Sequence, residues 1–149
     1  MAHLVFVCHG NICRSPIAER VARRAAKERG MELEVESFAL ADEEIGRPID
    51  RRAQKVLQEA GYDFDGHSAR RIAVEHLERA DLVIAVEPYQ VDQLKEMAPG
   101  ANVALLNDFN PDLEPGTALI DPWYGDQEGF YDTLADVEAA MPAILDELS

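Results

Sequence analysis

The spacing of apolar and polar positions changes several times along this chain, and each change marks an element. Leu4-Val5-Phe6-Val7 is apolar without a break, the pattern of a strand covered on both faces. Over residues 16–29, Ile17, Val21 and Ala25 recur at helical spacing and Gly30 ends the run. Residues 32–39 alternate, with Leu33, Val35 and Ser37 set between charged neighbours, and predict a second strand. Asp50 is placed to cap a helix that runs to Ala60 and stops at Gly61. A short helix is predicted over 73–79, and a third apolar strand over 81–86. Pro88 opens a helix to Met97 ahead of Pro99 and Gly100. A fourth strand over 103–106 is followed by a long loop over 107–126. A closing helix over 127–148 carries Pro142, where a kink is expected.

Strands that are apolar throughout and alternate with helices imply an α/β fold. The expected architecture is a three-layer sandwich: a four-stranded parallel sheet with helices on both faces, doubly wound in the flavodoxin-like order 2-1-3-4. At 149 residues, one domain over 1–149 is expected. In such sheets ligands bind at the carboxyl ends of the strands, and Cys8 ends the first strand.

Charge and cysteines narrow the function. The net charge of −15 disfavours nucleic acid and anionic membranes as partners. No apolar stretch approaches the roughly 20 residues of a membrane span. The chain enters its first strand at once, so no signal peptide is expected. Cys8 and Cys13, the two cysteines, fall in one loop. That distribution points to a reducing cytoplasm rather than a disulfide scaffold, and it makes no zinc site. Neither metal nor cofactor is expected. Arg20, Arg23, Arg24, Lys27 and Arg29 crowd the first helix and read as a solvated face.

The candidate chemistry lies in Cys8-His9-Gly10-Asn11-Ile12-Cys13-Arg14-Ser15-Pro16. This is a strand end, a tight loop and a helix start. Backbone N–H groups at a helix N-terminus, with an arginine beside them, hold a phosphate dianion and favour the thiolate that attacks it. Arg14 suits this because its planar fork grips two oxygens at once. Gly10 is read as the turn residue, Ser15 as the N-cap and Pro16 as the first helical residue. The long loop carries Asp121-Pro122-Trp123-Tyr124-Gly125. Pro122 keeps Asp121 extended, and the two aromatics are placed to wall a slot for a flat group.

Together, Val-Cys-His-Gly-Asn-Ile-Cys-Arg-Ser-Pro and the later Asp-Pro-Trp-Tyr-Gly resemble the low-molecular-weight protein tyrosine phosphatases. The likeness spans the chain and includes His67-Ser68-Ala69-Arg70. It implies that Cys8 is the nucleophile of a cysteinyl-phosphate mechanism, that Arg14 and the loop amides bind the phosphoryl oxygens, and that Asp121 is general acid, then general base. It implies that Asn11 shapes the loop through Ser15, Ser37 and His67, and that Ser15 bonds the thiolate. It further implies a reversible disulfide between Cys8 and Cys13, phosphotyrosine proteins as substrates with a cognate tyrosine kinase, and a monomer.

The chain departs from the family pattern in three places. Ser37-Phe38-Ala39-Leu40 stands for the usual Ser-Ala-Gly-Thr, His9 for an apolar residue, and Glu43 where an aromatic or large apolar residue often walls the slot. Three rival readings share the fold or loop. An arsenate reductase needs further cysteines, and a phosphoarginine phosphatase typically carries threonine at Ile12. An inactive phosphate-binding module has no need of Cys8, Arg14 and Asp121 together.

Overall fold

The computed structural model describes residues 1–149. Four strands form one parallel sheet: β1 (Ala2–Cys8), β2 (Leu33–Ala39), β3 (Leu82–Ala85) and β4 (Val103–Leu105), in the order β2-β1-β3-β4. The expected order 2-1-3-4 holds. Around the sheet run α1 (Arg14–Glu28), α2 (Arg51–Glu59), α3 (Val74–Arg79), α4 (Pro88–Met97) and α5 (Gln127–Glu147).

The two faces of the central strand explain the layers. Leu4, Phe6 and Cys8 join Ile17 and Val21 of α1, Val56 and Leu57 of α2 and Val137, Ile144 and Leu145 of α5 in one core. Val5 and Val7 point the other way, onto Leu77 of α3 and Leu94 of α4. With Leu4, Val5, Phe6 and Val7 all fully buried, β1 can be apolar without a break from Leu4 to Val7 because side chains alternate between two covered faces.

Local chemistry sets the helix ends. Asp50 Oδ1 accepts from the Arg52 N–H at 2.9 Å and caps α2, and Gly61 beyond it has φ +83°. α1 begins earlier than expected. Cys13 is its N-cap, with no side-chain cap bond, and Arg14 and Ser15 are already helical. The Ser15 hydroxyl faces Cys8 instead of capping an amide, and Pro16 sits one turn inside, where an N–H has no helical partner anyway. The predicted loop over 107–126 holds two 3-10 turns, one at Leu106–Phe109 that starts in the expected fourth strand and one at Pro122–Tyr124. α5 continues past Pro142 to Glu147.

The basic residues of α1 are not a solvated face throughout. Arg20 is buried, with Nε 3.2 Å from Glu19 and Nη1 3.2 Å from Asp63. At the outer strand, Glu36 is an ion-pair hub. His3, Arg79 and Arg70 reach its oxygens at 2.6, 2.8 and 2.7 Å. His3, Glu34 and Glu36 lie close enough for a metal ion, but His3, Arg79 and Arg70 already occupy both Glu36 oxygens.

Candidate active site

β1 ends at Cys8, and the chain turns back at once into α1. The turn is made by Asn11, whose φ is +59°, a left-handed conformation that asparagine tolerates better than most residues. Gly10 is not the left-handed residue. A Cβ on Gly10 would lie 3.3 Å from Cγ of Glu44, so the glycine makes room for the neighbouring loop rather than for the turn.

Asn11 is fully buried and bonded on every polar atom of its side chain. Nδ2 donates to Ser15 Oγ at 2.8 Å and to Ser37 Oγ at 2.9 Å, and Oδ1 accepts from the Arg70 N–H at 3.2 Å. Its carbonyl accepts from His67 Nε2 at 2.7 Å. Burial holds the His67 imidazole below its usual range despite this bond, which favours the neutral Nε2–H tautomer. Ser37 in turn donates to Glu19 Oε1 at 2.6 Å. The Cys8 sulfur lies 3.0 Å from Ser15 Oγ and accepts from the Asn11 N–H at 3.3 Å. These donors converge on the sulfur from the loop side, opposite the open mouth.

That mouth is a recess of about 120 Å³. Cys8, Gly10, Ile12, Cys13 and Arg14 form its floor. One wall is His9, Glu43 and Glu44, and the other is Asp121, Trp123 and Tyr124. His9 Nε2 is 3.4 Å from Glu43 at the exposed rim. Only one wall is aromatic. Trp123 is 40 % exposed and Tyr124 88 %, so Trp123 is the more firmly seated of the two. Of the residues singled out in the sequence, Ser37 and His67 stand behind the loop and outside the recess; the others of the loop and slot line it or, like Asn11 and Ser15, lie beneath it.

Arg14, part of this floor, is itself buried. Nη1 donates to the Leu119 carbonyl at 2.8 Å, and Nη2 lies 3.2 Å from Glu87 and 3.5 Å from Asp121. Asp121 sits at the head of its 3-10 turn and accepts from the Trp123 N–H through Oδ1 at 3.0 Å. Its other oxygen turns to Arg14, which tethers the late loop to the early one. Burial pushes the Cys13 thiol well above its ordinary value, with Asp50, Cys8 and Asp121 adding to the effect, so Cys13 is a neutral thiol.

Sequence reasoning missed Glu87, Glu44, Glu19 and Arg52. Glu87 had a readable signal: it is an acid at the carboxyl end of a central strand, where sheet topology places ligands.

A family model described as low molecular weight phosphotyrosine protein phosphatase matches residues 3–149. The chain belongs to that family. A low molecular weight protein-tyrosine phosphatase of Streptomyces coelicolor is 37 % identical over 147 residues, covering 94 % of this chain and 89 % of its own. Low molecular weight protein-tyrosine phosphatase A of Mycobacterium tuberculosis is 36 % identical over 150 residues, covering 97 % and 90 %. Among solved structures, YfkJ of Bacillus subtilis superposes with a TM-score of 0.90 at 29 % identity, covering 99 % of this chain and 94 % of that one. The phosphatase relatives are thus alike along the whole chain, not only at the loop.

Proposed function

We propose that this chain hydrolyses phosphotyrosine in proteins through a cysteinyl-phosphate intermediate, as one catalytic domain over 1–149. One observation carries the reading: Cys8, Arg14 and Asp121, drawn from opposite ends of the sequence, converge on one recess.

The phosphoryl group enters with its oxygens toward Arg14 and the loop amides, whose fixed donors favour the charge that develops as the ester bond loosens. The Cys8 thiolate, held by Ser15 and the Asn11 N–H, attacks phosphorus. The phosphorus–oxygen bond breaks, and the departing phenolate takes the proton of Asp121. Water then attacks the phosphocysteine while Asp121 takes its proton. The phosphorus–sulfur bond breaks, releasing phosphate and restoring the thiolate.

Ile12, apolar and buried beside Cys8, suits an aryl leaving group better than a guanidino one. Under peroxide, oxidation falls on Cys8, whose thiolate is held by Ser15 and the Asn11 N–H while burial keeps Cys13 a thiol, giving a sulfenic acid. The neutral Cys13 thiol then displaces water to form a disulfide that a thiol reductant reverses. No helix is long and apolar enough to cross a membrane, which is compatible with action on cytoplasmic phosphoproteins and their kinase, by a monomer.

Hydrolysis of p-nitrophenyl phosphate by wild type and Cys8→Ser tests the mechanism. Complete loss in Cys8→Ser is expected. Activity that survives it overturns the proposal. Cys8→Ser also serves to trap phosphotyrosine proteins from the native cell extract.

A further inference from the structure

We propose that Arg52 is a positioning residue that fixes the height of the acid loop over the phosphate loop. This rests on the assignment of Asp121 as proton donor.

Arg52 is outside the recess and touches none of the groups proposed to meet the phosphoryl oxygens. It sits in the first turn of α2, between the two loops that the reaction must bring together. On one side it grips Asp50: Nε is 3.1 Å from Oδ1 and Nη2 is 3.4 Å from Oδ2. The Asp50 N–H in turn donates to the Ile12 carbonyl of the phosphate loop at 2.8 Å. On the other side Nη1 donates to the carbonyls of Trp123 and Gly125, at 3.2 and 3.4 Å. The guanidinium carbon lies 5.1 Å from the Trp123 ring centre and 4.6 Å from that of Phe130 in α5, within cation–π range of both. The Arg52 carbonyl accepts from Gln127 Nε2 at 3.0 Å.

This single residue thus spans the phosphate loop, the acid loop and the start of α5. Its effect reaches Asp121 by a short rigid path. Arg52 holds the Trp123 carbonyl, and the Trp123 N–H holds Asp121 Oδ1 at 3.0 Å. Pro122 stiffens the 3-10 turn between them. Without the guanidinium, the turn loses both carbonyl anchors and the cation that Trp123 packs against. Asp121 then keeps its chemistry but loses its distance from the leaving oxygen. A lysine cannot substitute, because a point charge cannot grip a carboxylate and two carbonyls in one plane.

Two esters with the same phosphoryl group separate positioning from general disruption. Phenolate is a strong base that needs the proton of Asp121 to depart, whereas p-nitrophenolate is a far weaker base that needs it much less. The variants are Arg52→Met, Arg52→Lys, Asp121→Asn and the Arg52→Met/Asp121→Asn double. In both Arg52 variants kcat/KM, which reports the steps up to release of the phenol and not the phosphocysteine hydrolysis common to both esters, is expected to fall about tenfold or more for phenyl phosphate and less than about threefold for p-nitrophenyl phosphate, with inhibition by inorganic phosphate within about twofold. In the Asp121→Asn background, Arg52→Met is expected to add less than about twofold, because its effect runs through the missing proton. The single tryptophan, Trp123, is expected to emit further to the red and to be quenched more by acrylamide in both Arg52 variants.

Equal loss of kcat/KM for the two esters in Arg52→Met and Arg52→Lys, while Asp121→Asn still discriminates between them, overturns the role of Arg52 alone. A further tenfold loss in the double variant does the same. If Asp121→Asn does not discriminate between the esters, the assignment of Asp121 falls and the inference falls with it. Should Arg52→Met fail to fold, Arg52→Lys keeps the cation over both rings and carries the same kinetic test.

Discussion

Replacing Asn11 with alanine removes the centre of the loop that cradles the Cys8 sulfur. Three side-chain hydrogen bonds disappear, two from Nδ2 and one to Oδ1. The two from Nδ2 are buried and the third is partly so, and the Arg70 N–H loses its side-chain acceptor. At about 1 kcal/mol net per bond, the loss is about 3 kcal/mol. Alanine must also hold φ near +59°, and a left-handed alanine costs about 1 kcal/mol. A total near 4 kcal/mol is a large part of the 5–15 kcal/mol typical of a domain. Glycine at the same position loses the bonds but not the backbone freedom, so Asn11→Gly is expected to recover about 1 kcal/mol over Asn11→Ala. Urea unfolding followed by circular dichroism measures both, and p-nitrophenyl phosphate hydrolysis reads the loop directly. Activity in both variants is expected to fall more steeply than stability at low urea, because the loop is the part that loosens first. An Asn11→Ala midpoint equal to wild type, or an Asn11→Gly variant no more stable than Asn11→Ala, refutes this account of the hub.

Other outcomes are open to simpler measurements. Cys13→Ser is expected to lose recovery by a thiol reductant after peroxide treatment, since the sulfenic acid on Cys8 then has no partner; recovery unchanged from wild type removes the redox role. Glu43→Trp gives the recess a second aromatic wall and is expected to lower KM for aryl phosphates, an idea that an unchanged KM contradicts. Burial holds His67 and His76 below the ordinary imidazole range, so unfolding takes up protons and stability is expected to fall as pH drops below about 6.5 and on through the lowered folded values. For Glu36, burial alone would raise the carboxyl, but the bonds to His3 and Arg70 prevail and lower it. Its contribution is lost as pH falls below the ordinary value of 4.5. A urea midpoint that stays flat from about pH 7 to about pH 5 rules out the histidine contribution.

What could be read ahead of the structure follows from range. The central strand was legible because Leu4 to Val7 are apolar without a break, the pattern of a sheet covered on both faces. The loop from Cys8 to Ser15 was legible because the residues that meet there are close together in the chain. The start of α1 was misread because a strong local signal, Ser15 before Pro16, was overridden by a tertiary demand: the hydroxyl is needed at the Cys8 sulfur. Gly10 was assigned the turn for the same kind of reason, since the space that Glu44 requires has no local trace. Arg52 and Glu87 escaped notice because their partners lie far away in the chain. An arginine early in a helix looks the same whether it faces water or fastens a distant loop.

The tether between Arg14 and Asp121 also has a bearing on how the chain is made. Its two ends are 107 residues apart, and the acid loop is seated beside α5, which follows it in the chain and packs into the core through Val137, Ile144 and Leu145. During synthesis the thiol and its anion cradle emerge first, beside strands that have not yet found their neighbours. A nascent chain lacks the carboxyl group, and a fragment cut ahead of residue 121 lacks it permanently. Under the proposed mechanism turnover therefore waits until the acid loop has been made and α5 has packed against the sheet, and cleavage ahead of residue 121 abolishes it.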